Sequence, residues 1–273
     1  MVRLPGNPQR RRVTLVWRMF SSRRDRPAQA PVVVRDPSLP DFLIVGAQKA
    51  GTNMLTRNLG RHPGVFMATN QQNRPELHFF DADQNWRRGE AWYRDHFSQP
   101  DKLQGEKTPK YMFTAESRER MAKVVPRARL IVSLRNPVDR AYSAWNFYNQ
   151  QPSARGKNPW SQLPFRESFL TYPDLRDRGL YAQQLRHLLE LYPREQIHII
   201  IAERMRVDPD GTYAQLLAFL DLEPAACTVK STHQRTYDQP MDRDVRRELL
   251  DLFAGPNGDL FGLLGHDIPE WGL

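Results

Sequence analysis

Phe42-Leu43-Ile44-Val45-Gly46-Ala47-Gln48-Lys49-Ala50-Gly51-Thr52 is the stretch on which the rest of the chain is read. Its first four residues are a short apolar run, the composition of a strand buried on both faces. The run opens into a loop bounded by Gly46 and Gly51. Thr52 to Gly60 then reads as a helix, with Leu55 and Leu59 four residues apart. Such an arrangement holds a phosphate, because loop amides point inward and the helix N-terminus adds partial positive charge. Lys49 places a full charge inside the loop. The ordinary NTPase loop carries Gly-Lys-Ser/Thr in direct succession. Here the lysine stands two residues before the second glycine, and Thr52 follows that glycine.

Outward from this loop, Gly64 to Met67 reads as a second strand and Arg129 to Leu134 as a buried one. Pro137 suits the first position of a helix running to about Gln150. Residues 68–108 show little periodicity apart from Trp92, Tyr93 and Phe97, and read as mostly loop with short helices. Residues 151–178, rich in Pro, Ser, Asn and Arg, read as a long surface excursion. Tyr181, Leu185, Leu188, Leu189 and Tyr192 follow a 3.6-residue period, which predicts an amphipathic helix. Ile197 to Ile201 is a strong strand. Asp208-Pro209 opens a helix bearing Leu216, Leu217, Phe219 and Leu220, and Asp242 caps one bearing Val245, Leu249, Leu252 and Phe253. Strands alternating with helices predict an α/β fold, a P-loop-type, mostly parallel sheet with helices on both faces. The site is then expected at the carboxyl ends of the strands.

The 273 residues are 40% hydrophobic and 26% charged, which suits a single large α/β domain. The formal charge of +9 invites a nucleic-acid reading, but its location argues against one. Residues 1–40 hold nine Arg and two Asp, leaving 31 basic and 29 acidic residues over 41–273. The domain expected at 41–273 is thus close to neutral, and no nucleic-acid partner is expected. Residues 1–40 read as a basic, disordered extension, with contact to a membrane surface or a partner as the sharper alternative. The apolar stretch Val13 to Trp17, broken by Arg18, is too short for a transmembrane helix or a secretory signal. The single Cys227 excludes an intrachain disulfide and a Cys-based metal cluster, and suits a reducing, cytoplasmic setting.

Four further segments carry chemistry. Arg135-Asn136-Pro137-Val138-Asp139-Arg140-Ala141-Tyr142-Ser143 puts a guanidinium just past a buried strand and a hydroxyl about two turns into the next helix, a good grip on a phosphate dianion. Alone, Arg135 would read as a strand-end salt bridge. Glu76-Leu77-His78-Phe79-Phe80-Asp81 sets a carboxylate beside a histidine and aromatics. Gly105-Glu106-Lys107-Thr108-Pro109-Lys110-Tyr111 and His233-Gln234-Arg235 complete the set.

Together with the G-x-x-K-x-G-T loop, these segments resemble the sulfotransferases that use 3′-phosphoadenosine 5′-phosphosulfate (PAPS). The Glu-x-His-Phe-Phe-Asp and Glu-Lys-Thr-Pro-x-Tyr segments resemble the heparan sulfate glucosaminyl sulfotransferases, over about residues 41–273. The resemblance implies that Gln48, Lys49, Ala50, Gly51, Thr52 and Asn53 hold the phosphosulfate, that Arg135 and Ser143 bind the 3′-phosphate, and that Arg235 contacts the cofactor. It implies Glu76 as general base, His78 and Asp81 orienting groups around it, and Lys107 at the transferring group or the acceptor. No metal is implied. Gly179-Leu180-Tyr181-Ala182-x-x-Leu185 is similar to a helix of the same group, although core packing explains most of it. Asn53 departs from the arginine common in the heparan 3-O-sulfotransferases. The expected activity is in-line sulfuryl transfer to a carbohydrate or small-molecule hydroxyl or amine. A P-loop nucleotide kinase or NTPase is the alternative, disfavoured by the lysine position. A non-enzymatic basic binding module is disfavoured by the near-neutral domain. The acceptor and the oligomeric state are not legible.

Overall fold

The computed structural model describes residues 35–150, 162–230 and 240–272. Five parallel strands form one sheet: β1 Phe42–Gly46, β2 Val65–Met67, β3 Leu103–Lys107, β4 Arg129–Leu134 and β5 Ile197–Ile201. Their order is β2-β3-β1-β4-β5, so β1 lies at the centre. It is buried along its whole length, which is why its sequence is unbroken by polar residues. Register runs Phe42 to Gly105 on one side and Phe42 to Arg129 on the other. Between Ile44 and Gly46 the β1–β4 register slips, a bulge that bends the chain as it enters the loop.

Helices surround the sheet. Helix α1, Thr52–Leu59, follows β1; α2, Asp83–Trp86, and α3, Gly89–Arg94, lie between β2 and β3; α4, Ala115–Val124, precedes β4. Beyond β4 come α5 Pro137–Gln150, α6 Phe165–Thr171, α7 Pro173–Asp177 and α8 Tyr181–Leu191. After β5 follow α9 Ala202–Val207, α10 Pro209–Phe219, α11 Arg243–Leu252 and α12 Ala254–Leu264. Asn136 caps α5 through its side-chain oxygen, which accepts from Val138 N (3.0 Å) and Asp139 N (3.2 Å). Asp208 caps α10 and Asp242 caps α11 in the same way, as their sequence positions indicate. Among the described residues, no helix is long and apolar enough to cross a membrane.

One expectation is extended and one corrected. Residues 68–108 are mostly loop with short helices, as expected, but they also contain β3, which the sequence reading did not include and which pairs with both β1 and β2. Its sequence, Leu-Gln-Gly-Glu-Lys, lacks strand composition because its buried polar side chains are satisfied individually. The Gln104 amide, for example, donates to Pro37 O (2.6 Å) and accepts from Gln99 N (2.8 Å). Gly105 is required for a different reason: a Cβ there would meet the Phe42 ring at 2.2 Å. The stretch 151–178 is not a plain surface excursion. Its described part forms α6 and α7, whose Phe165, Phe169 and Leu175 build a second apolar cluster with Val138, Ala141, Leu249 and Phe253.

Candidate active site

The loop between β1 and α1 is tied down at both ends. Ala47 N donates to Ser133 O (2.6 Å), and the Ser133 hydroxyl, from within β4, donates to Ala50 O (2.6 Å). Lys49 and Gly51 both take left-handed backbone, with φ of 72° and 85°. Gly51 precedes the first residue of α1, and a Cβ on it would meet Met205 Cε at 2.5 Å. Glycine is therefore favoured there by the backbone, while the flexible end of Met205 would have to shift for any added carbon. Lys49 Nζ stands 4.1 Å from the centroid of the Phe147 ring of α5, a cation–π contact that keeps the ammonium over the loop's α5 side.

Arg135 leaves the end of β4. Its Nη1 donates to Lys49 O (3.2 Å), and its carbonyl accepts the Tyr181 hydroxyl (2.9 Å). Its buried Nε has no hydrogen-bond partner among the described residues. Ser143 lies on α5, largely buried. Arg235 and His233 lie outside the described residues, as does the segment 1–34. The chain leading toward Arg235 is pinned to α1, since Asn58 donates to and accepts from the Val229 backbone, each at 2.9 Å.

The second half of the site grows from β3. Lys107, its last residue, is 2% exposed, and its Nζ donates to Glu76 Oε1 (2.5 Å) and to Asn53 Oδ1 (2.9 Å). One lysine thus joins the carboxylate segment to the first turn of the loop helix. Glu76 Oε2 faces His78 Nε2 at 3.2 Å, and His78 Nδ1 lies 3.0 Å from both oxygens of Asp81. The histidine therefore sits between two carboxylates. Burial pushes its pKa down, but the hydrogen bonds to Asp81 and Glu76 outweigh this and hold it up at about 9. Burial pushes Glu76 up, and the His78 hydrogen bond and the Lys107 charge overcome that, leaving it at about 2. At neutral pH the group is an ionised glutamate gripped by two cations.

The two halves are joined through the backbone. Thr108 N donates to Ile44 O (3.2 Å) and Met112 N to Val45 O (2.9 Å), so the chain after β3 crosses the carboxyl end of β1. At that crossing a Cβ on Gly46 would come within 2.8 Å of Met112 Cβ. Lys49, Asn53, Glu76, His78, Lys107 and Arg135 thereby gather at the carboxyl ends of β1, β3 and β4, the place expected for a ligand in a parallel sheet.

Sequence reading gave no role to Phe147, which meets Lys49, or to Glu106, which is completely buried beneath the Glu76 segment. The signal for Glu106 was an acidic residue beside Lys107, readable only once β3 is known to be a strand.

Residues 39–247 match the sulfotransferase domain family. The chain is 31% identical to mouse heparan sulfate glucosamine 3-O-sulfotransferase 5 over 197 residues, covering 68% of this chain and 54% of that protein. It is 28% identical to the human bifunctional heparan sulfate N-deacetylase/N-sulfotransferase 3, covering 85% of this chain and 31% of that one. The chain thus spans about half, or less, of the length of these relatives. A solved sulfotransferase from Alicyclobacillus acidocaldarius superposes with a TM-score of 0.69 at 29% identity, covering 85% of this chain and 98% of that one. The loop, the β4–α5 turn and the Glu76 segment all fall inside the matched stretch, and the chain belongs to the sulfotransferase family.

Proposed function

We propose that this protein transfers a sulfuryl group from PAPS to a hydroxyl or amine of an acceptor, and that the acceptor is a carbohydrate or glycosylated metabolite. One observation carries the reading: Lys107 bridges Asn53 of the phosphate-type loop and the Glu76 carboxylate. A donor-binding loop and a proton acceptor held by one buried cation suit group transfer between two bound reactants. The carbohydrate assignment rests on the likeness to heparan sulfate sulfotransferases. The single cysteine supports a cytoplasmic setting.

The residues fit PAPS. The loop, with Lys49 and the start of α1, suits a phosphosulfate. Arg135 holds a buried Nε–H without a partner among the described residues, beside a loop it already touches. With Ser143 it forms the proposed 3′-phosphate site, which distinguishes the bisphosphate from ADP. Bound PAPS supplies a sulfuryl group already attached to a good phosphate leaving group.

The chain's own residues do the remainder. Loop amides and Lys49 hold the phosphosulfate and balance the negative charge left on the phosphate. Glu76 accepts the acceptor's proton. Held at about 2, Glu76 is a weak base. It would gain basicity if a bound donor drew the Lys107 ammonium away from the carboxylate. His78, fixed by Asp81, keeps Glu76 oriented through that exchange.

Calorimetry of adenosine 3′,5′-bisphosphate against ADP, without added metal, tests the reading. Tight binding of the bisphosphate with weak binding of ADP is expected. Equal affinities, or binding that requires magnesium, would overturn it in favour of a nucleotide kinase or NTPase.

A further inference from the structure

Beneath the Glu76 turn lies a carboxylate that the proposed reaction does not use. Glu106, on β3, is completely buried. Its Oε1 accepts the Tyr93 hydroxyl (2.7 Å) and the Tyr111 hydroxyl (3.0 Å), and its Oε2 accepts the Thr108 hydroxyl (3.2 Å). No cation is among these partners. Three hydroxyls aimed at one buried carboxyl form a network built for a purpose beyond packing, since an apolar residue would fill the space without a desolvation penalty.

The partners reveal the purpose. The Tyr111 hydroxyl, while donating to Glu106, accepts Phe79 N–H at 3.0 Å. The Thr108 hydroxyl does the same for His78 N–H at 3.4 Å. Tyr93 stacks on Phe79, with ring centroids 4.5 Å apart and planes 11° from parallel. From the other side, the Asn85 amide donates to Leu77 O (3.0 Å) and His78 O (3.2 Å). His78 itself takes left-handed backbone, φ 53°, which a non-glycine residue keeps only where its surroundings impose it. The orientation of the Glu106 carboxyl decides which way both hydroxyls point, and so whether they can accept those two amides.

We propose that Glu106 is a positioning residue, which fixes the turn bearing Glu76 and His78 through the Thr108 and Tyr111 hydroxyls. This rests on the sulfotransferase reading for what the turn does, but not for the geometry. Burial pushes the Glu106 carboxyl up to about 7, against the pull of the three hydroxyls. The groups facing it are Tyr93 from α3, Thr108 and Tyr111 from the segment after β3, and His78 across the turn. Protonation puts a donor where one hydroxyl now donates, and turns that hydroxyl away from its amide.

The test compares wild type, Glu106→Gln and Tyr111→Phe. The phenylalanine variant removes the link to Phe79 N–H without changing any charge. Three quantities are read: bisphosphate affinity by calorimetry, the His78 titration by histidine NMR, and turnover of PAPS with a desulfated heparan oligosaccharide as acceptor probe. Bisphosphate affinity is expected within about two-fold of wild type in both variants. The His78 titration is expected to fall from about 9 toward its ordinary 6.5 in both, as its carboxylate contacts loosen. Turnover is expected to fall by about 10- to 100-fold, the cost of misplacing a reacting group by an ångström or less. An unchanged His78 titration in Tyr111→Phe overturns the proposal, and the same holds if Glu106→Gln does not fold. Failure of wild type to bind the bisphosphate strikes the sulfotransferase reading instead, and the His78 titration still judges Glu106.

Discussion

Lys107 and Glu76 form a 2.5 Å ion pair in which the ammonium is almost wholly buried and the carboxylate is 37% exposed. On the proposed reading, the exposed partner is the one open to an acceptor, and the buried one is the one a bound donor would redirect. Lys107→Met keeps the volume and removes the charge. Transfer is expected to fall by about 100-fold or more, the range seen when one charge-stabilising donor is lost. Bisphosphate affinity should change little. Glu76 should titrate above its present value of about 2, toward its ordinary 4.5, in a carboxylate NMR titration.

Arg135 and Ser143 are expected to separate in a nucleotide comparison. Arg135→Ala removes a charge-assisted contact and should weaken the bisphosphate by about 1.5–3 kcal/mol, while ADP is almost unaffected. Ser143→Ala should cost about 0.5–1.5 kcal/mol. A variant that weakens both nucleotides equally would place its residue outside the 3′-phosphate site.

Stability should depend on pH through His78. Its pKa is raised from 6.5 to about 9 in the folded protein. The stabilisation is complete below pH 6.5 and is lost as pH rises through about 9. His78→Gln lacks this dependence. The gap in melting temperature between wild type and His78→Gln should therefore shrink from pH 6 to pH 9.5. A gap constant across that window would mean that the histidine is neutral between its two carboxylates.

Gly51→Ala tests the loop. Left-handed backbone costs a non-glycine residue about 1–2 kcal/mol, and the new methyl also meets Met205 Cε. Unfolding experiments should show about that loss, with weaker bisphosphate binding. Gly258→Ala, in α12 where nothing lies within 4 Å of the added carbon, is the control and should not be destabilised.

Much of this was readable because the decisive chemistry is local in the chain. Strand, glycine, lysine and helix cap follow one another from Phe42 to Thr52, and Arg135 to Ser143 spans one strand end and one helix. Glu76, His78 and Asp81 are close in sequence, and their grouping was read from the resemblance of that segment to the heparan sulfate glucosaminyl sulfotransferases. What escaped is non-local. Strand β3 was hidden because Gln104, Glu106 and Lys107 are polar, and their partners are Pro37, Tyr93, Glu76 and Asn53, far away in sequence. Helices α6 and α7 were hidden because Phe165, Phe169 and Leu175 are spaced among polar residues and find their apolar neighbours on α5 and α11. Periodicity reports what a segment buries against a generic core. It does not report a polar side chain satisfied by one particular distant atom.

The crossing of Gly46 and Met112 leaves no room for even one added carbon, and two backbone hydrogen bonds lie beside it. The donor loop and the lysine strand are therefore one mechanical part. The backbones that carry Lys49 and Lys107 are thereby held in register with each other. On the proposed reading, donor choice is tied to that part, and acceptor choice to segments outside it.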